Sequence, residues 1–451
     1  MTTTKKMNLT VKVLLGMVLG IIVGLIFNLM NNYADASFLS FLDMNKVNLF
    51  IKDYIINGLF HVVGSMFVNA LKMLVVPLVF FSLICGVCGI GDVRMLGRVG
   101  GKSFVLYMIT TAAAIATAIL IAVSFGIGKG ISISTDDSFD AKVSPPLTQV
   151  LIDIIPKNIF HAMANGDMLP IIFFSILVGI SMLLVGKKAS DFVAGAEVAN
   201  EIMMKMVTII MSVAPYAVFA LIAKAVAMLG LGLLVSLAGY VLVLIGALMF
   251  HLFITLMITL KVFSGLNPLM FLKKMRSVQV FAFSTSSSNA TIPVTMRSVT
   301  QRLGVNNSVA SFTVPFGATI NMDGTAIMQG VATVFIANIY QVDLGVSGYL
   351  TVILMSVLAS VGTAGVPGVG LIMLSMVFNQ VGLPVEGIAL ILGVDRLMDM
   401  IRTAVNVSGD AVVSSIVAKS EGKLDVAVYN DPDAGLVNTD EGLNFDNVSS
   451  S

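Results

Sequence analysis

Long apolar runs separated by short polar breaks fill the first 262 residues, at about 10–30, 59–89, 103–127, 169–186, 199–227 and 231–262. A helix needs roughly 20 residues to cross a hydrocarbon core, so this pattern predicts six spans. The connection at 128–168 is long and polar, and its end, IIPKNIFHAMANGDMLPII, predicts that the fourth span is entered through a broken helix. The opening run is too long for the apolar core of a signal peptide and reads as a retained first helix.

After residue 262 the pattern changes. The segment 266–302 has one half ending at Phe283, a polar tip from Ser284 to Ala290, and a second half running through Pro293 to Arg302. Halves of about 12 residues give roughly 18 Å of helix each, against a core of about 30 Å, so neither half crosses. Lys273, Lys274 and Arg276 stand before the tip and Arg297 and Arg302 after it. The segment therefore reads as a hairpin that enters from the cytoplasm and returns to it. A full span at 306–340 follows, interrupted at Asn321, Met322, Asp323 and Gly324, where an unwound backbone would free carbonyls for a cation. A second hairpin at 346–382 has its tip at 360–370. Hairpin and broken span, then hairpin and polar span, form the pattern of an inverted repeat around a midplane site. The expected fold class is an all-α polytopic membrane protein with eight transmembrane helices and two re-entrant helical hairpins. The pattern divides the chain into 1–265, 266–419 and 420–451, the last a polar tail expected to be disordered.

The last span carries the strongest chemical signal. Asp395, Asp399, Arg402, Asn406 and Asp410 fall at offsets 0, 4, 7, 11 and 15. At about 100° per residue they share an arc of about 80°, one polar stripe on an otherwise apolar helix. Four uncompensated charges in a membrane helix would cost on the order of 10–14 kcal/mol, so one another, broken backbone, ions or substrate must offset them.

Composition agrees with the pattern. The chain is 57% hydrophobic and 11% charged, with a mean hydropathy of +0.98, whereas soluble domains carry about 25% charged residues. A net charge of +1 gives no basic face for nucleic acid. Arg94, Arg98 and Lys102 after span two, Lys187 and Lys188 after span four, and Lys261 after span six place both termini in the cytoplasm, together with Lys5, Lys6, Lys419 and Lys423. Cys85 and Cys88 lack a second pair or a nearby histidine and read as packing residues. His61, His161 and His251 are scattered and read as packing or interface residues.

Four motifs carry a resemblance: the serine-rich tip with PVTMR (293–297), NMDGT (321–325), GTAGVPG (362–368) and DMIRTAVN (399–406). In this order and spacing the chain resembles the glutamate transporter family, the dicarboxylate/amino acid:cation symporters, over nearly its whole length. The resemblance implies a homotrimer in a bacterial inner membrane, with 1–265 mainly as scaffold, whose third and sixth spans move with the remainder, and 266–419 as the core transport domain. It also implies elevator-type secondary active symport of L-aspartate or L-glutamate with sodium, no other cofactor and no enzymatic activity. It implies substrate contacts from Ser287, Ser288, Met322, Thr325, Val366, Gly370, Asp399, Arg402, Thr403 and Asn406. Arg402 would take the side-chain carboxylate and Asp399 the amino group. One implied sodium site joins Asp410, Asn321, Asn406 and the Gly317 carbonyl, and another joins Thr319, Ser360, Val361 and Thr363. A third joins Asp323, Asn321, Tyr107, Thr110 and Thr111. Met400 stands where animal members have an additional arginine, which leaves Asp399 without an obvious neutralising cation when no substrate is bound. Proton-coupled C4-dicarboxylate transport is the alternative, and members that carry it tend to lack the acids at positions 399 and 410.

Overall fold

The structure is a computed structural model that describes residues 9–32, 44–88, 96–130, 149, 152–361, 365 and 367–435. Apart from one antiparallel bridge between Val305 and Leu424, its regular elements are helices. They are α1 (Leu9–Asn32), α2 (44–88), α3 (96–125), α4 (Ile159–Asn165), α5 (Met168–Val185), α6 (Ser190–Ser212), α7 (Ala214–Leu229) and α8 (231–264). There follow α9 (Pro268–Thr285), α10 (288–302), α11 (Asn307–Ile320), α12 (Asp323–Ile339), α13 (Gly345–Ser360), α14 (Val369–Val381), α15 (Ile388–Ser420) and α16 (Val426–Asn430).

Among the described residues five helical stretches are long and apolar enough to cross a membrane, at 11–30, 47–88, 98–125, 169–212 and 231–264. The expected fifth run, 199–227, is two helices, α6 and α7, which meet at Val213. Pro215 in the first turn of α7 explains the break, because it has no N–H to continue the helix before it. Hydrophobicity runs on through the junction and conceals it. The broken entry to α5 is present: Asn158 caps α4, Gly166 ends it in the left-handed region at φ 73°, and α5 starts two residues on.

The first hairpin is less even than its sequence predicts. Asn267 caps α9 and Pro268 starts it, so this arm has 18 residues, whereas the second arm starts at Ser288. The turn is two residues long, since Ser286 takes a left-handed conformation at φ 50° and the Ser287 hydroxyl accepts from the Ala290 amide to cap α10. The interruption of the seventh span is also shorter than expected. Only Asn321 and Met322 are non-helical, and Asp323 already opens α12, where a carboxylate is favoured by the helix dipole. In the second hairpin, residues 362–364 and 366 lie outside the described residues, and with them the expected site residues Thr363 and Val366.

Helix α15 is the centre of the molecule, packed by α9, α11, α12 and α8 and touched by α1, α3, α7, α10 and α14. Every residue of α12 except Asn338 is buried, and α3 and α8 cover it. Helix α1, by contrast, packs on α7 and exposes Val18, Leu19, Ile22 and Ile26, an apolar face suited to lipid.

The expected disordered tail is corrected in part. Residues 421–435 fold back onto the base of the first hairpin: the Asn306 amide donates to the Lys423 carbonyl (2.9 Å) and the Asp425 amide to that of Gly304 (2.8 Å). The Tyr429 hydroxyl donates to the Asn267 carbonyl (2.9 Å), and fully buried Lys274 donates to the carbonyls of Arg302 and Val428 at 2.6 Å each. Residues 436–451 lie outside the described part.

Candidate functional site

Two polar clusters lie along the buried face of α15. In the first, the Arg402 guanidinium is wholly buried between two acids of its own helix. Its Nη1 stands 3.0 Å from Asp395 Oδ1, and its Nη2 donates to Asp399 Oδ1 at 2.8 Å. The spacing of the three residues, one and two turns apart, brings these groups together without help from another element. Arg396 approaches the other Asp399 oxygen at 3.8 Å, and the Gly368 amide, at the start of α14, donates to it at 3.4 Å. Asp399 therefore does have neutralising cations despite Met400, which corrects the expectation drawn from the sequence. Arg402 Nε has no acceptor among the described residues. A Cβ at Gly370 would lie 3.2 Å from Arg402 Nη1, so α14 closes tightly over the guanidinium.

In the second cluster, Asn321 Nδ2 donates to Asp410 Oδ1 (3.0 Å), and Thr111 Oγ1 donates to Asp323 Oδ1 (2.6 Å). Close approach is possible because two helices present glycine. A Cβ at Gly317 would lie 2.5 Å from Asp410 Oδ1 and 2.7 Å from the Tyr107 hydroxyl, and one at Gly409 would lie 2.6 Å from Asn321 Nδ2 and 3.1 Å from Asp323 Oδ2. Among the described residues neither Asp323 nor Asp410 has an Arg or Lys partner. Asn321 Oδ1 is buried with no donor among the described residues. Among the described residues the cluster is rich in hard oxygen acceptors and holds no Arg or Lys, a donor set that suits an alkali cation.

The remaining expected residues fall around these clusters. Asn406 bridges them, accepting from the Gly324 amide at 2.7 Å and approaching Met322 Sδ at 3.3 Å. Thr325 is buried in the first turn of α12. The hairpin tips touch, since Ser287 Oγ (2.6 Å) and the Asn289 amide (3.1 Å) both donate to the Gly365 carbonyl, with Ser288 buried beside them. Several hydroxyls are committed locally: Tyr107 donates to the Thr313 carbonyl (2.9 Å), Thr110 to that of Tyr107 (3.1 Å) and Thr403 to that of Asp399 (2.7 Å). The Gly317 carbonyl accepts from the Asn321 amide at 2.7 Å. Thr319 donates to the Phe316 carbonyl (2.9 Å) and Ser360 to that of Val357 (2.7 Å). No hydrogen bond joins Thr319 to Ser360 or Val361 among the described residues.

Sequence reasoning missed one partner. His251 of α8 is buried, and its Nε2 stands 3.0 Å from Asp323 Oδ2, so the reading of this residue as packing or interface is incomplete. A signal was present. His251 is the one Asp, Glu, Lys, Arg or His between residues 231 and 260, and an ionisable residue inside an apolar span is a functional candidate by default.

Comparison with known proteins agrees with the geometry. The chain is 35% identical over 370 residues to a proton/sodium-glutamate symport protein of Bacillus caldotenax, covering 80% of this chain and 87% of the relative. It is 35% identical over 386 residues to the proton/glutamate-aspartate symporter of Escherichia coli (strain K12), covering 83% and 88%. A C4-dicarboxylate transport protein of Bacillus subtilis (strain 168) is 32% identical over 372 residues, covering 81% and 88%. The sodium:dicarboxylate symporter family matches residues 9–420. With its buried ionic helix and its long apolar spans, the chain belongs to the sodium:dicarboxylate symporter family and is a multi-pass membrane transporter, not an enzyme.

Proposed function

We propose that the protein takes up L-aspartate or L-glutamate together with sodium ions. The observation that carries this reading is the division of charge along α15: Arg402 centres one cluster, and the carboxylates of Asp323 and Asp410 form another with no Arg or Lys among the described residues. An α-amino dicarboxylate brings two carboxylates and one ammonium. Arg402 offers a planar fork to one carboxylate and Asp399 an acceptor to the ammonium, while Asn406 and the hairpin amides are placed to meet the other carboxylate. That substrate adds a further negative charge beside two uncompensated acids, so positive charge must enter with it. Sodium at Asp323 and Asp410 supplies that charge, and the unpaired Asn321 oxygen is one further ligand.

The arrangement in the membrane follows from the same reading. Eight helices cross and the hairpins α9–α10 and α13–α14 re-enter from opposite sides as inverted repeats. Helices α9 to α15, with α3 and α8 packed on α12, move as the transport core of an elevator against the scaffold of a homotrimer. Lys102, Lys274, Arg302 and Lys423 gather where α3 begins and α10 and α15 end, which supports a cytoplasmic position for that side and for the C-terminus. The N-terminus lies on the same side.

The test is uptake into proteoliposomes with sodium and proton gradients imposed separately. Labelled aspartate or glutamate should accumulate under a sodium gradient alone, with succinate competing weakly. Accumulation of succinate under a proton gradient alone would replace this reading with C4-dicarboxylate transport, the activity in the name of the Bacillus subtilis relative.

A further inference from the structure

His251 lies where a long apolar helix changes its winding. The segment His251–Thr255 is a π-helical turn inside α8, and no glycine or proline within it accounts for the change. Such turns re-aim side chains and recur at functional sites. This one begins with the residue whose Nε2 meets Asp323 Oδ2 at 3.0 Å, while Thr111 holds Oδ1 of the same carboxylate at 2.6 Å. Both partners are buried. The carboxylate is thus fixed in rotation from two sides, by α8 and by α3. Each oxygen has about two acceptor positions, so one on each remains after these bonds are made.

We propose, resting on the reading of Asp323 as a cation ligand, that His251 is a positioning residue for that cation site. Its Nε2–H orients the Asp323 carboxylate so that the remaining lone pairs meet the ion. His251 Nδ1 has no partner among the described residues, which fits a neutral ring with its one proton on Nε2, since a second buried N–H would be left unbonded. Neutrality matters to the role. A lysine or arginine at this position would neutralise Asp323 and compete with the ion, whereas a neutral donor sets the geometry and leaves the charge available. Groups that hold a metal ligand from behind in this way typically alter metal affinity about 10- to 100-fold when removed.

The experiment measures, in the full chain, the sodium concentration that gives half-maximal binding of labelled L-aspartate, for wild type, His251→Gln, His251→Asn and Asp323→Asn. The amide nitrogen of glutamine reaches close to the place of Nε2; that of asparagine falls one atom short, yet both side chains are polar and of similar character. His251→Gln should stay within about threefold of wild type and His251→Asn should need about tenfold more sodium, with aspartate affinity at saturating sodium unchanged in both. Equal behaviour of the glutamine and asparagine variants overturns the positioning role. If Asp323→Asn leaves the sodium requirement unchanged, the cation reading itself falls, and this inference with it. If Asp323→Asn raises the requirement but His251→Asn does not, only the inference falls.

Discussion

The Arg402 cluster and the Asp323–Asp410 cluster share one helix and similar burial, yet they solve the problem of buried charge differently. Asp395 and Asp399 are held by Arg402, with Arg396 near the second, so acids and bases balance within the cluster. About three helical turns further on, Asp410 is held by an amide, and Asp323 by a hydroxyl and an imidazole. The first cluster is closed on itself, and under the proposed function it exchanges an internal partner for a substrate. The second is short of positive charge and must acquire it. That difference gives a physical basis for coupling, because filling either cluster with its complement changes the charge that the other meets within the same buried volume.

The largest effect should come from breaking the self-compensated cluster. Removing one partner of a buried ion pair costs about 3–5 kcal/mol, or roughly 100- to 5,000-fold in affinity. Arg402→Cys should therefore abolish aspartate and glutamate binding, and it should admit small neutral amino acids such as serine, which need no guanidinium. Equilibrium binding of labelled aspartate and serine to the purified variant checks this. Retention of aspartate at the original affinity would make Arg402 a structural counter-ion.

Next in size is the loss of one acid from the uncompensated cluster. Asp410→Asn keeps a side chain that can pair with Asn321 but removes a charge, and a charged contact of this kind is worth about 1.5–3 kcal/mol. The sodium requirement for aspartate binding should rise roughly 10- to 150-fold while the protein stays folded. An unchanged requirement would exclude Asp410 from the ion sites and remove the contrast between the two clusters.

How far these clusters were legible in the sequence depends on where their partners come from. The polar stripe of α15 and the ion pairs within it are set by local spacing, and the motif around Asp323 marks the helix break within two residues. Caps and breakers such as Asn158, Gly166 and Gly265 bound their helices as the pattern requires. The break at Val213 was hidden because hydrophobicity does not change across it. The contact of His251 with Asp323 was hidden because it joins α8 to α12, 72 positions apart, and only packing brings them together. The folding of 421–435 onto the first hairpin was hidden for the same reason: its bonds run from backbone groups and Lys274 to residues over a hundred positions away.

A smaller effect would sharpen the picture of the first cluster. Asp395→Asn removes one of two acids from Arg402 and leaves Asp399 in place. Arg402 is then better able to leave its internal partner, but it is less firmly held in position. Aspartate affinity should change by about tenfold or less, since the residual pair still compensates most of the charge, and the sodium requirement should stay within about twofold. A sodium titration of aspartate binding reads both quantities. A large change in the sodium requirement would mean that the two clusters are not separable units.

The smallest effect is expected from a third charged group, whose cationic partners reach solvent. Glu421, just after α15, pairs with Lys102 and Arg98 at the start of α3. The Lys102 ammonium, by hydrogen bonding, holds the Glu421 carboxyl below its ordinary value of 4.5, with Arg98 adding to the effect. A group whose value is depressed in the folded state contributes stability above its unfolded value and loses it as the pH falls through the folded one. Wild type should therefore melt slightly above Glu421→Gln at neutral pH, and the two should converge as the pH falls well below 4.5. Salt should reduce the difference, because the cationic partners are exposed and exposed charges are screened more than buried ones. Thermal melts of the two proteins at neutral and acid pH, each at low and high salt, test this. A difference that survived both acid and salt would show that Glu421 fastens α15 to α3 through packing, and that this end belongs with the buried clusters rather than in contrast to them.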